Sequence, residues 1–318
     1  MDAAFSADGA TLVVAGGEGS VFSISLRAAP SGGRVGEHRG GVLAVATQPG
    51  GALFASSGQD GEVRLWNLRD GSARRIHAAG EWSERIAFSG NGRLLAIANG
   101  RRVHVFTSAG EERAAIAEHP GNIAALAWRP GLDEVAAVSN GGVRLHRMGE
   151  PVSSRDYSWK GACLTASWRP DGSVLASGLQ DGTVHYWNIA AGSQSEMKGY
   201  GARVAHTGWS ANGKYLATAA DHQVVVWEFS GRGPEGSAPL ELQAHSERVT
   251  QLCFQPRGPY LASSARDRRL LLWRPGFSPD PVDADLLGEE IVLLRWSANG
   301  KVLAAGDRSG ALRVFAVA

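Results

Sequence analysis

The 318-residue sequence has only two cysteines, Cys163 and Cys253, and each lies in a short apolar stretch. A disulfide framework is therefore not implied, and a reducing compartment is favoured. No apolar run approaches the ~18 residues that a membrane span requires. Residues 1–5 also lack the basic and apolar regions of a signal peptide. We therefore expect a cytoplasmic protein that makes no membrane contact.

An excess of charge of one sign is also missing. The sequence has 32 Lys and Arg residues against 31 Asp and Glu residues, which gives a formal net charge of +1. Proteins that bind nucleic acids usually show a basic excess or a basic stripe. We therefore do not expect a nucleic-acid partner.

The compact motifs of catalytic and metal sites are absent as well. The sequence contains no His-x-x-x-His or Cys-x-x-Cys spacing, no Gly-x-Ser-x-Gly nucleophile turn and no Gly-Lys-Ser/Thr phosphate loop. We therefore expect a protein that is not an enzyme and that has no cofactor and no catalytic or structural metal.

Glycine, by contrast, is abundant, with 42 residues. Many of these glycines follow Asn or Asp between two apolar runs, as in Asp8-Gly9, Asn91-Gly92 and Asn299-Gly300. Such dipeptides are the strongest short signal for a β-hairpin. The apolar runs alternate with a period of two, and no segment has a sustained helical period, so short antiparallel strands are predicted throughout.

The strands recur in a regular ladder. Eight equivalent strand ends carry an aromatic residue or its substitute, at Ile24, Trp66, Phe106, His146, Trp187, Trp227, Trp273 and Phe315. Successive ends are 42, 40, 40, 41, 40, 46 and 42 residues apart. The spacing of 46 reflects a Gly/Pro/Ser-rich stretch at 230–239, which predicts a surface loop. A second ladder of eight, at the ends of the preceding first strands, supports the same count.

A four-stranded unit that repeats every ~40–45 residues is typical of a propeller blade. We therefore expect an all-β, closed β-propeller of four-stranded antiparallel blades that forms a single domain over 1–318. Eight blades are favoured, and a seven-bladed ring with one terminal unit packed elsewhere is the alternative. The last blade is expected to have three strands, because only Ala316-Val317-Ala318 follow its third strand. This led us to expect that the natural chain extends upstream of Met1.

The second and seventh units resemble the WD-repeat family. In that family, Asp, His, Ser and Trp of one repeat form a hydrogen-bonded tetrad. The resemblance implies this structural role for His38, Ser56, Asp60 and Trp66, and for His245, Ser263, Asp267 and Trp273. Units five and six keep partial tetrads, namely Ser177, Asp181 and Trp187, and Thr218, Asp221 and Trp227. Trp159 and Tyr200 stand at their His positions, and unit four keeps His119 but has His146 at the Trp position.

These histidines and aspartates could also be metal ligands or catalytic carboxylates. They recur once per repeat on different blades, however, whereas functional sites bring their groups together at one place. The structural interpretation is therefore preferred.

One face of the ring, the top face, collects residue types that are common in protein interfaces. It is formed by the loops before the first strands and by the turns between the second and third strands. Arg, Trp and Tyr are enriched among the residues that dominate binding energy. The candidate partner-binding residues are Gln59, Trp82, Trp159, Gln180, Tyr200, Arg203, Arg248 and Arg266. The alternative is a solvated rim on which Trp159 and Tyr200 are simply packed.

Two functions from different classes follow. The first is a protein-interaction scaffold that binds a protein or peptide on the top face. The second is a small-molecule or metal-linked function. Residues 227–236 and 254–258 look like segments of bacterial WD-repeat proteins encoded beside CobW-type GTPase metallochaperones, which would imply such a GTPase as partner and a role in metal homeostasis.

Overall fold

The structure is a computed structural model that describes residues 2–27, 31–78, 81–116, 118–231 and 233–317. Every regular element among these residues is a β-strand. The chain divides into two compact units, 1–160 and 161–318, which are described separately. Arg232, in the predicted loop at 230–239, lies outside the described residues.

The first unit contains four antiparallel sheets, which we call blades one to four. Blade one comprises β1 (Asp2–Phe5), β2 (Thr11–Ala15), β3 (Ser20–Ser25) and β4 (Ser31–Glu37). Blade two comprises β5 (Val42–Thr47), β6 (Leu53–Gly58), β7 (Glu62–Asn67) and β8 (Ala73–Ala78). Blades three and four comprise β9 (Arg85–Phe88), β10 (Leu94–Asn99), β11 (Arg102–Thr107), β12 (Glu112–Ile116), β13 (Ala125–Trp128), β14 (Glu134–Arg147) and β15 (Ser153–Ala162).

The second unit contains blades five to eight. Blades five and six comprise β16 (Ser167–Trp168), β17 (Val174–Gly178), β18 (Val184–Asn188), β19 (Ser193–Met197), β20 (Val204–Trp209), β21 (Tyr215–Ala220), β22 (Gln223–Glu228) and β23 (Leu240–Leu242). Blades seven and eight comprise β24 (Val249–Phe254), β25 (Leu261–Ala265), β26 (Arg269–Trp273), β27 (Asp283–Leu286), β28 (Ile291–Trp296), β29 (Val302–Asp307) and β30 (Leu312–Ala316).

Strand β14 is long enough to form both the second and the third strand of blade four. The backbone N–H of Met148 donates to the carbonyl of Asp133 at 2.8 Å, so the two ends of β14 lie side by side. The reversal falls at Gly141 and Gly142, whose φ angles are +94° and +124°. A Cβ at Gly142 would come within 2.3 Å of the Tyr157 carbonyl oxygen on β15, so only glycine fits there.

The repeat count is confirmed, because the described residues form eight sheets in sequence order. The first and the last sequence repeats both form blades. Strand β1 packs against β5 in the first unit, and β28 packs against β24 in the second. The seven-bladed alternative, in which one terminal unit packs elsewhere, is therefore wrong.

The last blade has three strands among the described residues, as the sequence predicts. Strand β30 is largely accessible, with Val314 exposed, whereas the third strands β18 and β22 of sister blades are mostly buried under β19 and β23.

The core lies between neighbouring blades within each unit. Each second strand is almost wholly buried, as in β10 and β17. The outer strands contribute apolar side chains to the next interface, and the fully buried Leu242 of β23 packs with Trp273 in a cluster shared by blades six and seven. In each blade we call the end where the first strand begins the top edge. It also carries the turn between the second and third strands.

Candidate functional site

The tetrad of blade two forms a continuous chain of hydrogen bonds. The Trp66 indole N–H donates to Ser56 Oγ at 2.7 Å, and Ser56 Oγ lies 2.7 Å from His38 Nε2. His38 Nδ1 lies 2.9 Å from Asp60 Oδ1. A carboxylate only accepts, so His38 Nδ1 carries the proton and the Ser56 hydroxyl donates to His38 Nε2. Every donor in the chain therefore points from the blade interior towards the top edge.

The carboxylate of Asp60 also holds the loops of the top edge. It accepts the backbone N–H groups of Arg39 and Glu62, each at 3.1 Å. Burial opposes ionisation of Asp60, but the hydrogen bonds from His38 and from these two backbone groups outweigh it and lower the pKa of the carboxyl. The loop before β5 and the turn between β6 and β7 are thereby tied to one charged group.

Blade seven repeats this geometry. Trp273 donates to Ser263 Oγ at 2.8 Å, Ser263 Oγ lies 2.8 Å from His245 Nε2, and His245 Nδ1 lies 3.1 Å from Asp267 Oδ2. His245, Ser263 and Trp273 are buried. The predicted His and Asp residues therefore bond to partners inside their own blade.

In blade four, two histidines form the buried hydrogen bonds that the tetrad forms in blades two and seven. His119 Nδ1 lies 2.9 Å from the Arg101 carbonyl, so it donates and leaves His119 Nε2 as an acceptor. His146 Nε2, at 2.9 Å, donates to that atom in place of the usual indole N–H. His146 Nδ1 accepts from Ser154 Oγ at 2.8 Å. Burial first, and the neighbouring His119 second, lower the pKa of His146 to about 3.

Blade six uses a tyrosine, Tyr200, which is from the sequence a candidate partner-binding residue with simple packing as the alternative. Its hydroxyl group packs into the blade. The Trp227 indole N–H donates to the Tyr200 hydroxyl, and that hydroxyl lies 2.6 Å from Thr218 Oγ1. Burial raises the pKa of Tyr200 to about 12. Asp221, assigned to this partial tetrad, instead lies exposed beside His222, at 2.9 Å. The Tyr200 hydroxyl therefore serves the blade and not a partner.

Blade five lacks the hydrogen-bond chain. Ser177 Oγ donates to the Gly178 carbonyl at 3.3 Å, and Asp181 accepts from Thr183 within its own turn. The buried indole N–H of Trp187 has no hydrogen-bond partner among the described residues. Trp159, assigned to the rim, is half-buried within β15.

Trp82 lies on the top edge of blade three with a fixed orientation. Its side chain is 53% exposed, and its indole N–H donates to the Gln59 carbonyl oxygen at 3.0 Å. Gln59 directly precedes Asp60, and its side-chain oxygen accepts the Gly41 N–H at 2.9 Å. The tetrad of blade two therefore fixes the backbone group that holds the exposed indole.

A small cavity of about 210 Å³ opens beside this indole, and we call it the Trp82 cleft. Its lining residues are Glu81, Trp82, Glu84, Ala98, Gly100, Asn122 and Ile123. Both charged side chains of this lining are carboxylates. Sequence reasoning missed both glutamates, although they flank Trp82 in Glu81-Trp82-Ser83-Glu84.

A second, larger cavity of about 580 Å³ shares the lining residues Glu81, Gly100 and Asn122 with the cleft. Its other lining residues are His77, Asn99, Arg101, Arg102, His104 and Glu118. The rings of His77 and His104 lie 4.5 Å apart between their centroids. Sequence reasoning missed this histidine pair, because its members lie on the outer strand of one blade and the third strand of the next.

The second unit carries the predicted arginines on its top edges. Arg203 and Arg266 are exposed, Arg248 is half-buried, and Gln180 is exposed in the turn of blade five. Arg266 pairs with Glu290 at 3.3 Å.

Arg203 and Arg248 make no ion pair within the described part of the chain. Near them, burial first, and then the positive charges of Arg248, Arg295 and Arg203, lower the pKa of His206 to about 4. Arg203, Arg248 and Arg295 therefore place positive charge around the His206 imidazole.

No group of three or more His, Cys, Asp or Glu side chains in the described ranges could hold a metal ion. Burial raises the pKa of the Cys163 thiol, and raises that of Cys253 to about 12. The described residues also contain no helix long and apolar enough to cross a membrane.

Comparison with known proteins decides the family. Residues 32–67, 153–188, 193–228 and 236–274 match the family described as "WD domain, G-beta repeat". The chain therefore contains WD repeats, and four of them match the family. The matched segments include blade seven with its complete tetrad and blade six, in which the Tyr200 hydroxyl takes the place of the His and Ser groups. The fold therefore accommodates both hydrogen-bond arrangements.

Several WD-repeat relatives are eukaryotic. The WD repeat-containing protein slp1 of Schizosaccharomyces pombe is 26% identical over 49% of this chain and 33% of that protein. The B-type cell cycle switch protein ccs52B of Medicago truncatula is 24% identical over 73% of this chain and 49% of that protein. The chain thus spans about half or less of the length of these curated relatives.

Solved structures show the same fold. A computationally designed protein, Ika8, superposes with a TM-score of 0.81 at 18% identity, over 99% of this chain and 95% of that one. Sqt1 of Chaetomium thermophilum, bound to the N-terminus of ribosomal protein L10, superposes with a TM-score of 0.74 at 18% identity, over 86% of this chain and 84% of that one. These likenesses and the eight sheets confirm the β-propeller fold class. They do not test the resemblance to proteins encoded beside CobW-type GTPases, which stays a prediction.

The first prediction concerns the complete tetrad. Ser263→Ala strands the Trp273 indole N–H and His245 Nε2 in a buried site, and each stranded group is expected to cost about 1–3 kcal/mol of unfolding free energy. Ser177→Ala in blade five is the matched control, because the Trp187 indole N–H has no hydrogen-bond partner among the residues that the structure describes. The cost of Ser177→Ala is expected to stay within about 1 kcal/mol. Equal losses in urea denaturation of the two variants would contradict the assigned hydrogen-bond chain.

The second prediction concerns pH. Folded His146 stays neutral down to a pKa of about 3, whereas the unfolded chain takes up a proton at this residue near pH 6.5. The folded pKa is the lower one, so the contribution of neutral His146 to the unfolding free energy is fully present above pH 6.5 and is lost as the pH falls towards 3. Within this range, His146 alone lowers the unfolding free energy by up to about 1.4 kcal/mol per pH unit.

His146→Gln keeps an N–H donor for His119 but removes the titration. The unfolding free energy of this variant is therefore expected to fall less steeply than that of the wild type between pH 6.5 and 4.5. Parallel curves in urea titrations across this range would show that His146 is not held neutral.

Proposed function

We propose that this chain is a non-enzymatic interaction protein that binds a protein or peptide partner through the top edges of its blades. The single observation that carries the proposal is Trp82, a large aromatic side chain that is 53% exposed yet held in one orientation by its hydrogen bond to Gln59. Tryptophan is among the side chains that dominate binding energies in interfaces. A pre-oriented indole loses little conformational freedom on binding, which favours affinity.

The second unit supports the same assignment. Arg203 and Arg248 precede the first strands of neighbouring blades, and neither has an ion-pair partner within the described residues of the unit. An arginine without such a partner can bond to a carboxylate of another protein without first giving up an internal ion pair.

The relatives agree with an interaction role. Sqt1 was solved bound to the N-terminus of a ribosomal protein, and another solved relative belongs to the mitotic checkpoint complex. A relative in Arabidopsis thaliana is named as a cofactor of the APC complex. Protein and peptide binding thus recurs among these proteins, and a cytoplasmic location stays part of the proposal.

Affinity purification from the native host tests the proposal. Trp82→Ala and the double variant Arg203→Ala with Arg248→Ala are each expected to lower recovery of the specific partner at least fivefold, because they remove interface anchors. Phe277→Ala is the matched control, since Phe277 is 73% exposed on the opposite edge, in the β26–β27 connection.

The partner is identified by mass spectrometry, and each variant's fold is checked by its melting temperature. Unchanged recovery with both top-edge variants, or an equal loss with Phe277→Ala, would overturn the assignment to the top edges.

A further inference from the structure

We propose that the Trp82 cleft receives the side chain of a lysine or arginine presented by an extended segment of the partner. This inference rests on the proposed function and names the chemistry that one of its surfaces recognises. It follows from the charge, the aromatic wall, the size and the backbone of the cleft.

The charge of the cleft is acidic and incompletely neutralised. The carboxylate of Glu81 forms no ion pair within the described part of the chain. Among the described residues, Glu84 has one ion-pair partner, Arg85, at 3.9 Å between Glu84 Oε2 and Arg85 Nη1, and both side chains are well exposed. The Arg85 guanidinium is also committed to the carbonyl oxygens of Ala124 and Glu84, at 2.7 and 2.9 Å. Two carboxylates are therefore available to an incoming cation.

The aromatic wall suits the same ligand. A cation over the face of an indole is attracted by the quadrupole of the ring, and tryptophan is the strongest of the aromatic residues in this respect. The N–H edge of Trp82 is occupied by the Gln59 carbonyl, so the ring cannot rotate freely away from the cleft. The long methylene stem of lysine or arginine would cover the exposed ring while its head reaches the carboxylates.

The size and the backbone limit what can enter. The cleft of about 210 Å³ is smaller than the roughly 300–1,000 Å³ of typical small-molecule sites, so it fits one side chain. Glu81 Oε2 lies 3.4 Å from the position that a Cβ would take at Gly100, whose φ is +53°. A Cβ at Gly100 would be in van der Waals contact with this carboxylate and would take up room in the cleft.

The adjoining cavity does not reverse the charge of the cleft. Arg102 pairs with Glu118 at 3.1 Å, and Arg101 lies 3.8 Å from the same carboxylate. Arg101 also donates to the His119 carbonyl at 2.7 Å. These two arginines are held beside Glu118, outside the cleft lining, so the cation is expected at Trp82 and the rest of the segment along the cavity.

Fluorine NMR of the full chain labelled with 5-fluorotryptophan tests the inference. The chain has ten tryptophans, and Trp82→Phe identifies the resonance of Trp82. The probes are four hexapeptide pools with acetylated and amidated ends, mixed Gly, Ser and Ala at the flanking positions, and a central lysine, arginine, norleucine or glutamate. Norleucine matches the lysine stem but lacks its charge.

The lysine or arginine pool, or both, is expected to shift the Trp82 resonance, whereas the norleucine and glutamate pools leave it in place. Glu81→Gln is expected to weaken this binding about two- to fivefold, as for an exposed ion pair. High salt should weaken it as well. Glu111→Gln is the matched control, because it removes the same charge from the opposite edge of blade three, in the turn between β11 and β12.

A Trp82 response to norleucine as large as the response to lysine or arginine, or a response unchanged in Glu81→Gln, would overturn the cation inference and leave top-edge binding intact. A Trp82 resonance that no pool moves would also overturn it. The proposed function is judged separately by the capture of the native partner, so the two failures are distinguishable.

Discussion

A buried indole or imidazole N–H near the end of a third strand is costly to leave without an acceptor, and the order of the top edges of blades two and seven depends on how this donor is paired. Leaving such a donor unpaired costs about 1–3 kcal/mol. Blades two and seven meet the requirement with Ser, His and Asp, and the last acceptor in each chain is a carboxylate at the top edge. That carboxylate also binds backbone N–H groups of two loops, so satisfying one buried donor immobilises the surface above it.

The same requirement has different solutions in neighbouring blades. In blade four, His146 replaces the indole, and in blade six, Tyr200 replaces both the histidine and the serine link. Blade five has no equivalent chain of hydrogen bonds, and the Trp187 indole N–H has no partner in the part of the chain that the structure describes. Where the chain to Asp is lost, as at Asp221, the carboxylate turns to solvent and no longer ties the loops together. Blades four and six therefore pair the buried donor of the third strand, but among the described residues no Asp carboxylate ties their top-edge loops together as in blades two and seven.

The spacing in the sequence predicts the repeats and the strands. The complete tetrads come from the resemblance to the WD-repeat family, and their four groups lie within one repeat. The sequence does not predict that Tyr200 turns its hydroxyl inward, since this depends on the space left beside Trp227. It also misses the Trp82 cleft, because its lining comes from the start of blade three, the turn of that blade and the start of blade four. The Trp82 indole is oriented by a carbonyl 23 residues earlier, and such a contact leaves no periodic signal.

The central claim is that the top edge at Trp82 touches the partner. The most direct measurement replaces Trp82 by the photoreactive residue p-benzoylphenylalanine in the native host, with the same replacement at Phe277 as reference. The account predicts that irradiation gives a covalent adduct with a discrete protein from position 82 and none from position 277. Adducts from position 277 alone, or the same adduct from both positions, would contradict it.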